Sequence, residues 1–304
     1  MAAGLPTACS RTEGDRDGQP VTIKHLFGET VITTPPTRVV SAGYTEQDDL
    51  LALGVIPVAV TSWFGDQPFA VWPWAQPQLG AATPVVLNLD GGIEVDRIAD
   101  CAPDLIVATN AGVDADTYAR LTEIAPTVPQ TGPDAFFGPW KDQAQTIGRA
   151  VFAADRMRSL IEGVDQQFTA VTDRFPQFAG RTALLLDGRL SAGEAVATRS
   201  GWQTDFLTRM GLAVAGLDEF AGNGRAVIPR DRLQPVLEGA DVVIWTTDND
   251  AEQDALRADP DLAALRTGQV FTTGEQAGAI AFASPLSYPV VAEQLPPLIA
   301  TALS

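Results

Sequence analysis

Two α/β lobes joined by a single long helix are the architecture that this sequence predicts, and three features lead to it. The chain has 304 residues, more than one hydrophobic core usually fills, so two units of roughly 120 to 150 residues are expected. Short apolar runs alternate with helical patterns, which is the signature of βαβ crossovers and parallel strand pairing. The same order of elements then begins again in the second half.

The first half opens with a short buried strand over 38–43, then a helix over 45–53 that Gly54 ends. A second strand covers 55–61, a helix lies around 95–100, and a third strand covers 104–109. A helix over 118–124 precedes a last short strand at Thr127 and Val128. The second half starts with a strand over 182–187, followed by a helix near 202–210 that stops at Gly211. Strands at Ala213 and Val214, at 241–245 and at 270–272 complete the set. Between the halves, Ile147, Val151, Met157, Leu160, Ile161, Val164, Phe168 and Val171 recur at helical intervals over 140–175, with Pro139 and Pro176 at the ends. One continuous connecting helix is the expectation.

The repeat can be checked by spacing. Residues 102–109 and 239–246 match position for position, and each strand aspartate, Asp104 and Asp241, follows an earlier acid, Glu94 and Asp231, by the same interval. The expected divisions are 1–20 as signal remnant and tether, 21–138 as the amino-terminal α/β lobe, 139–176 as the linker helix and 177–304 as the carboxy-terminal α/β lobe.

Apolar residues make up 45% of the chain and charged residues 19%, the balance of a folded protein rather than a disordered one. The formal charge of -18 argues against nucleic acid and against a polybasic membrane patch, since both need clustered lysine and arginine. His25 is the only histidine, which weakens bare zinc sites and histidine acid/base catalysis. A surface or local hydrogen-bonding role is expected for it. Cys9 follows Leu5-Pro6-Thr7-Ala8 and precedes a polar stretch, a context like the end of a lipoprotein signal. Lipidation of Cys9 is expected, with the true start of the signal upstream of Met1, because a secretory signal needs roughly 15 to 30 residues. Cys101, at a helix end, is expected to be buried.

Four stretches, 36–41 with 50–58, 93–107, 121–128 and 241–271, together resemble the iron-siderophore, haem and cobalamin group of periplasmic binding proteins, class III, which serve ABC transporters. The resemblance implies two α/β lobes, modest lobe closure and delivery of a chelated metal or tetrapyrrole to a permease dimer. It implies an extracytoplasmic, membrane-anchored lipoprotein of an iron-uptake system, with a ferric siderophore or related chelate as ligand. A monomer without a resident cofactor is expected. In the resembled family a glutamate on each lobe docks on permease arginines. Glu94 fits that pattern, while Asp231 is shorter by one methylene. The alternative is that both acids merely favour the first turn of a helix.

In open α/β sheets the ligand lies beyond the carboxyl ends of the strands. Tyr44, Trp63, Phe64, Trp72 and Trp74 in the first half, and Trp202 and Trp245 in the second, occupy such places, with Phe136 and Phe137 ahead of the linker. Planar rings suit a flat or greasy chelate, although they could equally close the core. Arg189, Arg199 and Arg225 supply forked cationic donors for an anionic chelate, or pair with nearby carboxylates. A haem- or corrinoid-binding version keeps the fold and changes the ligand, with Tyr44 as a possible iron ligand. An enzyme is disfavoured: no nucleophile elbow, phosphate loop or dinucleotide fingerprint is present, and Gly222-Asn223-Gly224 lacks the third glycine. Asp48 and Asp49 are adjacent on one helix and expected to be solvated. A purely structural surface lipoprotein, without a cleft, is the remaining class.

Overall fold

The first strand of the main sheet in each lobe is a short apolar run buried on both faces, Val39–Ser41 in one and the interior of Thr182–Asp187 in the other. A computed structural model describes residues 19–134, 136–220 and 224–304, so Cys9 and the Gly222-Asn223 pair lie outside the described residues. An antiparallel hairpin of β1 (Val21–His25) and β2 (Gly28–Ile32) comes first. Then follow β3 (Val39–Ser41), α1 (Glu46–Ala52), β4 (Ala59–Thr61), α2 (Gln76–Leu79), β5 (Val85–Leu87), α3 (Val95–Asp100), β6 (Leu105–Ala108), α4 (Ala115–Thr122) and β7 (Thr127–Pro129). Their sheet has the order β5-β4-β3-β6-β7 and every pairing is parallel. The central strands β3 and β6 are buried at every position, as parallel strands covered by helices on both sides must be.

The stretch expected to form one linker helix contains two: α5 (Trp140–Ala150) and α6 (Ala154–Arg174). The break is a Schellman closure. Ala153 donates to the Gly148 carbonyl and Phe152 to that of Arg149, the paired bonds that end a helix around a left-handed residue. That residue is Phe152, with φ 60°, where glycine is usual, so no glycine or proline marked the stop. α5 packs against α1 and β1 of the first lobe. α6, 21 residues and about 31 Å long at 1.5 Å per residue, makes the connection.

The second lobe holds β8 (Thr182–Asp187), β9 (Ala195–Thr198), α7 (Asp205–Arg209), β10 (Ala213–Val214), β11 (Arg225–Ile228), α8 (Arg230–Leu237), β12 (Val242–Thr246), α9 (Asp250–Ala258), α10 (Pro260–Ala263), β13 (Gly268–Phe271), α11 (Gly274–Phe282) and α12 (Tyr288–Ala302). Here β8, β12 and β13 pair in parallel, and β10 joins β8, but β9 and β11 are antiparallel. The expectation of wholly parallel pairing fails at these two strands. The short link 188–194 cannot carry a crossover helix, so β9 has to return alongside β8. Its alanine-rich sequence gave no strand signal.

The repeat survives as a shared device. The Asp104 carboxylate accepts from the backbone amides of Thr37 and Arg38 just before β3. Asp241 accepts from the Thr182 amide and the Arg181 guanidinium at the start of β8. In each lobe one acid at the foot of one strand clamps the foot of its parallel neighbour. Side chains then alternate along the strands: Val39, Leu105, Leu185 and Ile244 join a core that runs from the first sheet through α5 and α6 to the second sheet and α12. Val40 and Ile106 face a second core, and Leu186 and Trp245 a third.

Candidate ligand cleft

Glycine shapes the cleft edge of each lobe. Gly43 follows β3, and a Cβ there would lie 2.5 Å from the Asn110 backbone after β6; Gly188 follows β8, and its Cβ would lie 2.4 Å from the Thr246 carbonyl oxygen of β12. Both are closer than real Cβ contacts, so only glycine lets these loops tuck against the neighbouring strand end. The residues that follow, Tyr44 and Arg189, stand at equivalent points of the two lobes.

A cavity of about 390 Å³ lies between the lobes. The first lobe contributes Trp63, Phe64 and Phe137; the second contributes Asp187, Arg189, Trp202, Arg225 and Asp248, while Ile280 of α11 and Tyr288 of α12 add an apolar wall. Trp63, Phe64, Phe137, Asp187, Arg189 and Asp248 stand at or after the carboxyl ends of β4, β7, β8 and β12, where the open-sheet rule puts a ligand, while Trp202 follows β9 and Arg225 opens β11. Phe137 is held in place by its backbone, at φ 55°, with its amide donating to the Asn110 side-chain oxygen at 2.7 Å. A left-handed conformation at a bulky residue is strained and persists only where the surroundings fix it.

Of the aromatics expected at a ligand, Trp63, Phe64 and Trp202 border this cavity. Tyr44 does not, but stacks on Trp63 at 5.4 Å and on Phe137 at 6.2 Å, bracing two rings that do. Trp72 and Trp74 form a stacked pair at 5.0 Å. Trp72 is buried, with its ring against Gly278 of α11, and Trp74 donates its indole N–H to Asp48 at 2.8 Å. Both close the junction between α1 and α11, although Trp72 also touches a smaller cavity of about 230 Å³ that shares Phe64 and Asp248 with the main one. Trp245 is fully buried and its N–H bonds Gln269 at 3.1 Å. The strand period of two turns it to the far face of the sheet, so the expectation of a cleft position is corrected.

The arginines are paired. Arg225 bonds Asp187, Arg189 lies 3.9 Å from Glu252, and Arg199 bonds Asp218 at 2.9 Å. Arg189 and Arg225 border the cavity, whereas Arg199 does not. Asp187 and Asp248, which border it too, were missed because only aromatics and arginines were sought at the strand ends; the same positional rule would have found both. Burial holds the Asp187 carboxyl above its usual range despite Arg225. Asp248 is raised by burial and then by Glu252.

Glu94 precedes α3, accepts from the Asn88 amide at 2.9 Å and pairs with Arg97. The Asn88 bond, ahead of Arg97, holds it below the usual range. Asp231 is exposed in the first turn of α8. Asp48 and Asp49, expected in solvent, are instead buried with Glu46 in α1. Asp48 accepts from Ser284 at 2.6 Å and Asp49 from Gln143 at 2.9 Å. His25, expected at the surface or in a local hydrogen bond, is buried and bonds the nearby Thr30 and the distant Tyr118, and Cys101 is buried. No group of acids, cysteines and histidine able to hold a bare metal occurs among the described residues.

The family model described as periplasmic binding protein matches residues 39–277. A periplasmic solute binding protein from Mycobacterium smegmatis is 61% identical, covers 95% of this chain and 100% of its own, and superposes with a TM-score of 0.90. This chain belongs to the periplasmic binding protein family. Two further structures share the fold. PiaA from Streptococcus pneumoniae, solved with ferrichrome, is 22% identical with TM-score 0.73, covering 93% of this chain and 98% of its own. SirA from Staphylococcus aureus, solved with staphyloferrin B, is 19% identical with TM-score 0.72, covering 91% and 98%. Among curated proteins none matches. The two-lobed, helix-linked class expected from the sequence is therefore the class found. Members of the family bind substrates outside the cytoplasm, and no helix among the described residues is long and apolar enough to cross a membrane.

Proposed function

We propose that this chain is the extracytoplasmic substrate-binding component of an iron-uptake ABC transporter, which holds one ferric siderophore between its lobes, hands it to a permease dimer and catalyses nothing. The interlobe cavity carries this reading: rings from both lobes, Trp63, Phe64 and Phe137 opposite Trp202, flank one space together with fixed charges. Such a site sets ring faces for contact area beside charged side chains that can orient a small ligand. The ferrichrome and staphyloferrin B held by two proteins of the same fold support the choice of an iron chelate. Anchoring to the membrane through a lipid on Cys9 belongs to the same proposal.

Delivery is assigned to Glu94 and Asp231, the acids that the repeat places near the starts of α3 and α8. The purified protein, mixed with a panel of ferric siderophores and haemin and passed through gel filtration, should elute with the visible absorbance of one ferric siderophore per chain. Elution without colour, or with haemin alone, overturns the siderophore assignment. Glu94→Arg and Asp231→Arg together should leave that binding intact while abolishing uptake in cells; normal uptake by the double variant overturns the docking assignment.

A further inference from the structure

We propose that the cleft selects ferric chelates of zero or positive net charge, of the hydroxamate type, and rejects polyanionic catecholate chelates and haem. The inference rests on the ligand reading above. Two guanidiniums, Arg189 and Arg225, border the main cavity, against the carboxylates of Asp187, Asp248 and Glu252. Arg225 is already engaged by Asp187, and Arg189 faces Glu252 from a side chain that is 79% exposed. Three carboxylates therefore outnumber the two guanidiniums around the main cavity, and each guanidinium has a carboxylate within 3.9 Å.

The adjoining smaller cavity extends the pattern. Asp248 and Glu275 border it beside the Phe64 and Trp72 rings, with no lysine or arginine in its lining. Carboxylates and ring faces together favour an ammonium or similar cation. The chain as a whole carries -18, so the long-range field acts in the same direction as the local one.

Three hydroxamates bring three negative charges to Fe(III) and leave the complex neutral, and a pendant amine makes it cationic. Three catecholates bring six and leave it at minus three. Haem carries two propionates. A carboxylate-rich wall therefore opposes the last two by like-charge repulsion, which is how a site rejects a wrong ligand.

The test is quenching of intrinsic tryptophan fluorescence at about 0.15 M ionic strength, titrated with ferrioxamine B, its N-acetylated form, ferrichrome, ferric enterobactin and haemin. At least one hydroxamate should bind about tenfold or more tighter than ferric enterobactin and haemin, with ferrioxamine B ahead of its acetylated form. Asp248→Asn combined with Glu252→Gln should narrow the gap to enterobactin by about tenfold, with unchanged thermal unfolding as the folding control. Equal or tighter binding of enterobactin or haemin overturns the charge selection while leaving a ligand cleft in place. A gap untouched by the two substitutions overturns the role of these carboxylates. Failure of every probe to bind removes the cleft reading itself.

Discussion

Three carboxylates in the first turn of α1 give this protein an unusual titration. Glu46 is fully buried, accepting from the Asn110 amide at 2.8 Å and from Thr109 at 3.2 Å. Burial nevertheless lifts its pKa from 4.5 to about 7, and lifts Asp48 from 3.8 to about 6. Asp49 rises as well, through burial first and then the charges of Asp48 and Glu46. A folded-state pKa above the unfolded one means that the native protein binds more protons in the window between them. The stability that these groups contribute is therefore fully present near pH 4 and is lost as pH rises through about 6 and about 7. For Glu46 alone the change is of the order of 3 kcal/mol. Urea midpoints measured across this range should show the decline, and Glu46→Gln should flatten it; a midpoint that rises with pH contradicts the account. Sequence reading placed Asp48 and Asp49 in solvent because adjacent acids on a helix usually are. What buries them is distant in the chain: Ser284, Trp74 and Gln143 supply their hydrogen bonds. Long-range burial of that kind leaves no local signal.

At the level of elements, regular patterns were legible and exceptions were not. Four of the five parallel strands of the first lobe, the matched positions of Asp104 and Asp241 and the long helix α6 follow from periodicity or from the repeat, whereas β5 and the β1–β2 hairpin were not assigned. The break before α6 was invisible because phenylalanine occupies the left-handed position. β9 and β11 were hidden by small residues and short length. Close helix approach is the other feature decided here: at Gly148 of α5, a Cβ would lie 2.7 Å from the Met157 Cβ of α6. Gly148→Ala should raise helix propensity by up to about 1 kcal/mol, yet overpacking of a tight contact costs about 1 to 3 kcal/mol. Net destabilisation is expected, seen as a lower midpoint in chemical unfolding. A stabilised variant would show that α5 and α6 can move apart freely.

For the whole molecule, two lobes do not mean two separate cores. One core passes through α5 and α6 into both sheets, and α11 sets Phe282 against Trp63, Trp72 and Trp74 of the first lobe, with centroids 5.7, 6.0 and 5.8 Å apart. The last two helices, which the sequence reading left unassigned, thus bind the lobes together and wall the cleft. Such packing favours the modest closure expected of a helix-linked pair over a wide hinge. The central claim is that one ferric chelate sits between those lobes. Anomalous diffraction at the iron edge, from crystals grown with ferrioxamine B, tests it most directly. The account predicts a single strong peak per chain in the space between Trp63 and Trp202, beside Arg225. A peak on the outer surface, or none in crystals saturated with the chelate, would contradict it.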